Sequence, residues 1–453
     1  MKIVLISTYE LGRQPFGLAS PAAWLRAGGA EVACVDLSRE PLREQGVRDA
    51  DLIAFYVPMH TATRLAVQLL GAIRAINPSA HICFYGLYAP VNEAWLRKLG
   101  VRTILGGEFE QGLEDLAKRI ASGGSAAPQS EPVISLARQK FAVPDRARMT
   151  ALDQYARLAL PSGEKRTVGY TEASRGCKHL CRHCPIVPVY KGVFRVVERD
   201  VVLADIRQQV AAGARHITFG DPDFFNGVGH AMPLVKSLHE EFPHVTYDAT
   251  IKIEHLLKHS RYLPTLRDTG CLFVTSAVES VDDSVLEKLD KHHTRADFLR
   301  VVLLFRKIGL TVQPTFVPFT PWTSPEGYLD LLEVLREENL VENVAPIQLA
   351  IRLLIPAGSR LLELSEVRAL IRPFDEEAMV YPWAHRDFRI DVLSQELQQI
   401  VHAGEKLNQT RSRIFARIEE AARRTAEIEA PARQQPPLVS RATIPYLTEP
   451  WYC

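Results

Sequence analysis

The chain has 453 residues, longer than one hydrophobic core usually serves, so two or three structural units are expected. Hydrophobic residues at 47% and charged residues at 24% match a soluble globular protein, and a formal net charge of +1 creates no field favouring nucleic acid or an anionic membrane. The opening apolar run, residues 3–6, is too short for a signal-peptide core, and no stretch approaches the roughly 20 apolar residues that span a bilayer. A cytoplasmic protein without membrane contact is therefore expected.

In chain order, residues 2–7, 31–36, 51–57, 81–85 and 101–105 are short apolar runs separated by crossover-length segments. This alternation predicts an α/β unit with a doubly wound parallel sheet over residues 1–121. Residues 122–165 open with Ser122, Gly123, Gly124 and Ser125 and read as a linker. The alternation restarts with strand-like runs at 168–173, 215–219, 245–251, 271–278, 310–317 and 347–354, with helical patterns at 201–212, 282–289 and 296–308 between them. Six β/α units in series predict a partial TIM-like barrel over residues 166–360. Residues 361–429 read as a helical extension, with apolar residues at helical spacing over 393–429. Residues 430–453, rich in proline, read as an extended tail.

Seven cysteines, three of them within eight residues, do not resemble a secreted disulfide framework. Cys34, Cys83 and Cys271 lie in apolar segments and are expected to be small buried residues. Cys177, Cys181 and Cys184 follow a predicted strand with the spacing C-x3-C-x2-C. Three thiolates on one short loop can each ligate one iron of a cubane cluster and leave the fourth iron open to a chelating molecule. The alternatives are a zinc site completed by His179 or His183, which lacks the usual second ligand pair, and a redox ferredoxin site, whose nearest further cysteine, Cys271, lies in another strand.

This cysteine loop at the end of a first barrel strand resembles the signature of the radical S-adenosylmethionine (radical SAM) superfamily. The resemblance implies a [4Fe–4S] cluster whose open iron is chelated by the amino and carboxylate groups of S-adenosylmethionine (SAM), and reductive cleavage of a carbon–sulfur bond. His183 matches the position that lies against the adenine. Gly220 and Asp221 match the segment that contacts the methionyl amine, Ser276 and Glu279 the ribose- and carboxylate-binding strand, and Ile355 the strand flanking the adenine. Thr294 is expected to cap a helix.

A doubly wound unit ahead of such a barrel resembles the cobalamin-binding class of that superfamily, as does the connection carrying Phe141, Pro144, Asp145, Arg146 and Tyr155. Many cobalamin domains place a histidine on cobalt from a D-x-H-x-x-G loop after the first strand. Here that loop, Thr8 to Gly12, has no histidine. Gly106, Gly107 and Glu108 resemble the glycine-rich loop near the corrin tail, so cobalamin without a histidine ligand is compatible with the sequence.

The C-terminus, through Trp451, Tyr452 and Cys453, resembles a radical SAM group ending in a Cys-Sec-Ala-Glu-Pro or Cys-Cys-Ala-Glu-Pro tail and related to the enzyme of arsinothricin biosynthesis. That resemblance implies transfer of a 3-amino-3-carboxypropyl group from SAM to trivalent arsenic, with Cys453 taking part at the acceptor. It also implies that the natural chain continues past Cys453 with selenocysteine. The partners expected are a small-molecule substrate and an electron donor such as flavodoxin or ferredoxin, without nucleic acid. Two rival readings are a cobalamin-dependent radical SAM methyltransferase and, in another class, a non-catalytic iron–sulfur or regulatory protein.

Overall fold

The computed structural model describes residues 1–124, 127–428 and 444–448. The N-terminal unit is a parallel sheet built from β1 (Lys2–Ser7), β2 (Glu31–Asp36), β3 (Leu52–Tyr56), β4 (His81–Tyr85), β5 (Thr103–Gly107) and the short β6 (Ile134–Ser135), in the order β2-β1-β3-β4-β5-β6. Strands buried on both faces explain why β3, β4 and β5 read as continuous apolar runs, and two separate cores flank this sheet. The order reverses between β1 and β3. That reversal opens a crevice at the strand C-termini.

The second unit is a curled sheet of β7 (Arg157–Ala159), β8 (Lys165–Thr171), β11 (His216–Phe219), β12 (Thr246–Thr250), β13 (Cys271–Glu279), β14 (Thr311–Phe316) and β15 (Tyr446–Leu447), in the order β14-β13-β12-β11-β8-β7-β15. β8 and β11 to β14 run parallel, β7 pairs antiparallel with β8, and the edge strand β15 pairs antiparallel with β7. A hairpin of β9 (Ser174–Gly176) and β10 (Phe194–Val196) brackets the cysteine loop. The barrel is open. The sixth strand expected at 347–354 is reduced to a single bridge between Phe319 and Arg352, because Pro346–Leu349 turns into a 3-10 helix. Proline there lacks the amide a ladder needs.

Residues 122–165 do more than connect, since they add β6 to the first sheet and β7 to the second. The helical pattern near the C-terminus is a hairpin of Phe388–Lys406 and Arg411–Thr425 packed under the barrel. Helix Arg295–Ile308 starts at a reciprocal capping box, with the Thr294 hydroxyl accepting from the Asp297 amide and the Asp297 carboxylate accepting from the Thr294 amide. Among the described residues no helix is long and apolar enough to cross a membrane.

Candidate active site

The cysteine loop leaves β9 at Gly176. That glycine has φ of 71°, and a Cβ there would stand 2.4 Å from both the Tyr190 ring and the Val193 carbonyl oxygen, so only glycine admits the sharp entry to Cys177. One residue earlier, Arg175 is buried at the seam between the two units. Its guanidinium donates to Glu172 at 2.7 Å and Glu110 at 2.9 Å, contacts Glu108 at 3.4 Å, and lies over the rings of Phe16, Phe109 and Phe141. Arg146 fastens the same seam, donating to Asp205 at 2.6 and 2.9 Å, to Gln14 at 2.6 Å and to the Tyr170 carbonyl at 2.7 Å. The N-terminal sheet thus anchors the cysteine loop from behind.

Cys177 and Cys181 are buried and Cys184 is half-buried. Burial, reinforced by the proximity of Cys181 and Cys177, pushes the Cys184 thiol up to about 12, and burial also raises Cys177. The Cys177 and Cys184 sulfurs therefore become thiolates when a metal replaces their protons. Two lysines compensate the resulting charge: Lys252 Nζ lies 3.7 Å from Cys181 Sγ, and Lys291, also buried, is held protonated by Glu279 and by Cys181 and Cys184. Buried ammonium groups facing three cysteines fit an anionic iron–sulfur cluster.

Glu279 ends β13 where the pairing with β14 shifts register, and its own φ is 71°. Such an irregularity re-aims a side chain at some cost in strain. Glu279 Oε1 meets His183 Nε2 at 3.2 Å and Lys291 Nζ at 3.3 Å. Burial alone would raise Glu279, but Lys291 and then His183 hold it at about 2. Asp221, after β11, accepts from Ser174 Oγ at 2.5 Å and the Ala173 amide at 3.0 Å. Burial still pushes it up to about 7. Both carboxylates thus reach the segment carrying the cysteine loop.

The other residues singled out from sequence fare differently. Ser276 is fully buried, with its hydroxyl lacking a hydrogen-bond partner, and His183 Nδ1 is likewise unpartnered. Gly220 borders the cavity of the barrel and admits no side chain, for a Cβ would stand 1.9 Å from the Tyr170 hydroxyl. Ile355 packs in a small core with Val285, Leu353 and Leu361, and its carbonyl accepts from the Tyr381 amide at 2.8 Å. Cys453 lies outside the described residues. Sequence reasoning missed Lys252, Lys291 and His293. Both ring nitrogens of His293 are buried without partners, and burial, with Lys291 and Lys252 nearby, lowers it to about 4. The basic run Lys291, His292 and His293 directly before the Thr294 helix cap was the available signal for two of them. Orphaned polar atoms around the cluster loop at Ser276, His183 and His293 fit a polar molecule bound beside the cysteines.

Residues 171–338 match the Radical SAM superfamily. The matched segment runs from the end of β8 to helix Pro325–Glu337. Radical SAM domains bind a [4Fe–4S] cluster and SAM, and the residues just described fit both. Among curated proteins, the chain is similar to the ribosomal protein uS12 methylthiotransferase RimO of Bacteroides fragilis, 25% identical over 186 residues, covering 37% of this chain and 41% of that protein. It is also similar to the tRNA-2-methylthio-N(6)-dimethylallyladenosine synthase of Caldicellulosiruptor saccharolyticus, 23% identical over 172 residues and 36% of each chain. The chain thus spans about two fifths of the length of these relatives. Solved structures extend the likeness to the N-terminal unit. TsrM, a radical SAM methyltransferase from Kitasatospora setae with tryptophan and a SAM analogue bound, superposes with a TM-score of 0.63 at 17% identity, over 82% of this chain and 77% of that one. The cobalamin-dependent radical SAM enzyme OxsB superposes with a TM-score of 0.69 at 15% identity, over 89% of this chain and 66% of that one.

A cavity of about 810 Å³ runs from the N-terminal crevice into the lumen of the barrel. Leu11, Pro58, Met59 and Leu87 give it an apolar wall at the ends of the first sheet, and barrel strands line it with Thr218, Asp248, Thr250, Thr275 and Gln313. Asp221 and Arg175 lie on its border, so the cavity reaches the foundation of the cysteine loop. The loop after β1 brings no histidine there. Gly107 of the expected glycine loop borders the cavity, and neither of its glycines admits a side chain, because Cβ atoms at Gly106 and Gly107 would meet Pro90 at 2.4 Å and the Ser135 carbonyl at 2.2 Å.

Proposed function

We propose that this chain is a radical SAM transferase that binds a [4Fe–4S] cluster through Cys177, Cys181 and Cys184 and passes a SAM-derived group to a small polar acceptor in the cavity beneath. When bound, the cluster supplies the electron that breaks a carbon–sulfur bond of SAM. The chain's own part is to hold and orient. Lys252 and Lys291 offset the thiolate charge, while Glu279, His183, Ser276 and His293 offer donors and acceptors to the polar groups of SAM. Asp221, with a proton affinity near neutrality, braces Ser174 behind the loop. The observation that carries this reading is the convergence of three cysteines, two buried lysines and several orphaned polar atoms at the barrel mouth. Reduced, anaerobically reconstituted protein should release a SAM cleavage product. A protein that binds iron and SAM yet cleaves none under dithionite would instead be a non-catalytic iron–sulfur protein.

The narrower form of the proposal makes trivalent arsenic the acceptor of a 3-amino-3-carboxypropyl group, supported by the C-terminal resemblance alone. Product analysis of SAM cleavage with and without arsenite tests it, and an unchanged product pattern removes it. A cobalamin-dependent methyltransferase is the second reading, favoured by the apolar crevice between β1 and β3, where doubly wound sheets take their ligands. In that reading the histidine-free loop leaves cobalt without an imidazole, and electron paramagnetic resonance of Co(II) should lack nitrogen splitting.

A further inference from the structure

Against the outer arc of the cysteine loop stands a second group of ligand-type side chains that the cluster and SAM do not use. His179, midway between Cys177 and Cys181, meets Asp223 from the turn after β11 and His255 from helix Ile253–Lys258 after β12. One nitrogen or oxygen from each lies within 4.8 Å of the others. His179 Nε2 is 3.6 Å and His255 Nδ1 2.6 Å from Asp223 Oδ2. All three atoms are buried without a hydrogen-bond partner, so even the short His255 contact lacks hydrogen-bond alignment. Asp223 is fully buried and its other oxygen is already committed, accepting from the Phe225 amide at 3.2 Å. Three buried donor atoms left open toward one another carry a desolvation cost that a cation would remove.

We infer that His179, Asp223 and His255 form a second metal site for a divalent first-row transition ion, zinc or iron(II), separate from the iron–sulfur cluster. Two imidazoles and one carboxylate suit such ions better than calcium or magnesium, which prefer all-oxygen ligands. The outer contact completes the pattern: Glu254 Oε2 lies 3.6 Å from His179 Nδ1, the nitrogen that faces away from Asp223. Glu254 Oε2, itself without a hydrogen-bond partner, stands just beyond hydrogen-bond distance, and a carboxylate drawn into contact behind a ligating histidine fixes its tautomer and ring orientation. None of the three ligands borders the large cavity. The ion's place is therefore to pin the cysteine loop to the ends of β11 and β12, with one coordination position left for water.

The test uses full-length protein reconstituted anaerobically with iron and sulfide, incubated with zinc and desalted. One zinc beside four irons per chain, with only nitrogen and oxygen neighbours at the zinc absorption edge, is the expected result. Asp223→Asn and His255→Ala should keep the four irons and lose zinc affinity by 100-fold or more. Glu254→Gln, a milder change at a partly exposed residue, should weaken zinc on the order of 10-fold. Four irons with no retained zinc, sulfur neighbours around the zinc, or wild-type zinc affinity in all three variants overturns the site. Zinc with nitrogen and oxygen ligands in a protein that holds no iron supports this site and overturns the cluster reading instead.

Discussion

The seam behind the cysteine loop and the mouth in front of it are both buried and highly polar, yet they are built on opposite principles. At the seam, no side-chain nitrogen or oxygen of Arg146, Arg175, Glu108, Glu110 or Asp205 is buried without a partner. At the mouth, Ser276, His183, His293, His179, Asp223 and His255 all keep unpartnered buried atoms. A satisfied network specifies how two units dock, whereas an unsatisfied one costs stability unless a ligand completes it. Removing residues from the first should damage folding, and from the second, binding.

The largest effect is expected at the mouth itself. Replacing Cys177, Cys181 and Cys184 together by alanine should abolish the four irons and the broad absorption near ~400 nm characteristic of thiolate-bound iron. Stoichiometric zinc without iron in the anaerobically purified wild type would erase the contrast at its root.

At the seam, Arg175→Met leaves Glu108, Glu110 and Glu172 without their shared cation. The expected loss is about 3–5 kcal/mol, the usual consequence of leaving buried charge uncompensated. Equilibrium denaturation measures it, and a change below ~1 kcal/mol would mean the seam is solvated.

Binding should fail without unfolding in Glu279→Gln and Asp221→Asn, each weakening SAM by roughly 10- to 100-fold, about 1.4–2.8 kcal/mol, in titrations where the iron content stays at the wild-type level. Equal loss of iron and SAM would assign these carboxylates to the loop's architecture alone.

A pH experiment sharpens the seam further. Burial pushes Glu108 up to about 7, although Arg175 opposes it. The folded protein therefore keeps a proton that the unfolded chain gives up near 4.5, and this contribution is full below pH 4.5 and lost as pH rises through about 7. Glu108→Gln should lose less stability than wild type between pH 5 and 7.5, by up to ~3 kcal/mol. Parallel pH profiles would count against a proton on Glu108.

The smallest effect belongs to a site outside both regions. Thr294→Ala should cost about 1 kcal/mol by removing one side of the capping box, with SAM binding unchanged.

Much of this was legible in the residues alone. Periodicity located β1, β2 and β4 to the residue, for β1 and β4 because parallel strands covered on both faces are apolar throughout. The spacing of Cys177, Cys181 and Cys184 placed three ligand-type side chains on one loop, since sequence separation controls how a short loop presents them. The motif segments carrying Asp221 and Glu279 likewise pointed to the strand ends.

Tertiary structure alone decided the rest. Lys252 and Lys291 lie 71 residues from Cys181 and 12 from Glu279 along the chain, and only the curling of the barrel sheet turns them into counter-charges for the cysteines. That Gly220 must stay a glycine because Tyr170 packs against it is likewise set by the fold. The run at 347–354 looks like a strand by composition, but its partner edge and Pro346 leave it a single bridge. His179, Asp223 and His255 come from three separate segments, and no local pattern joins them. Local propensity and ligand spacing are properties of neighbouring residues, whereas charge compensation, steric filling and ligand convergence depend on which distant segments the fold brings together.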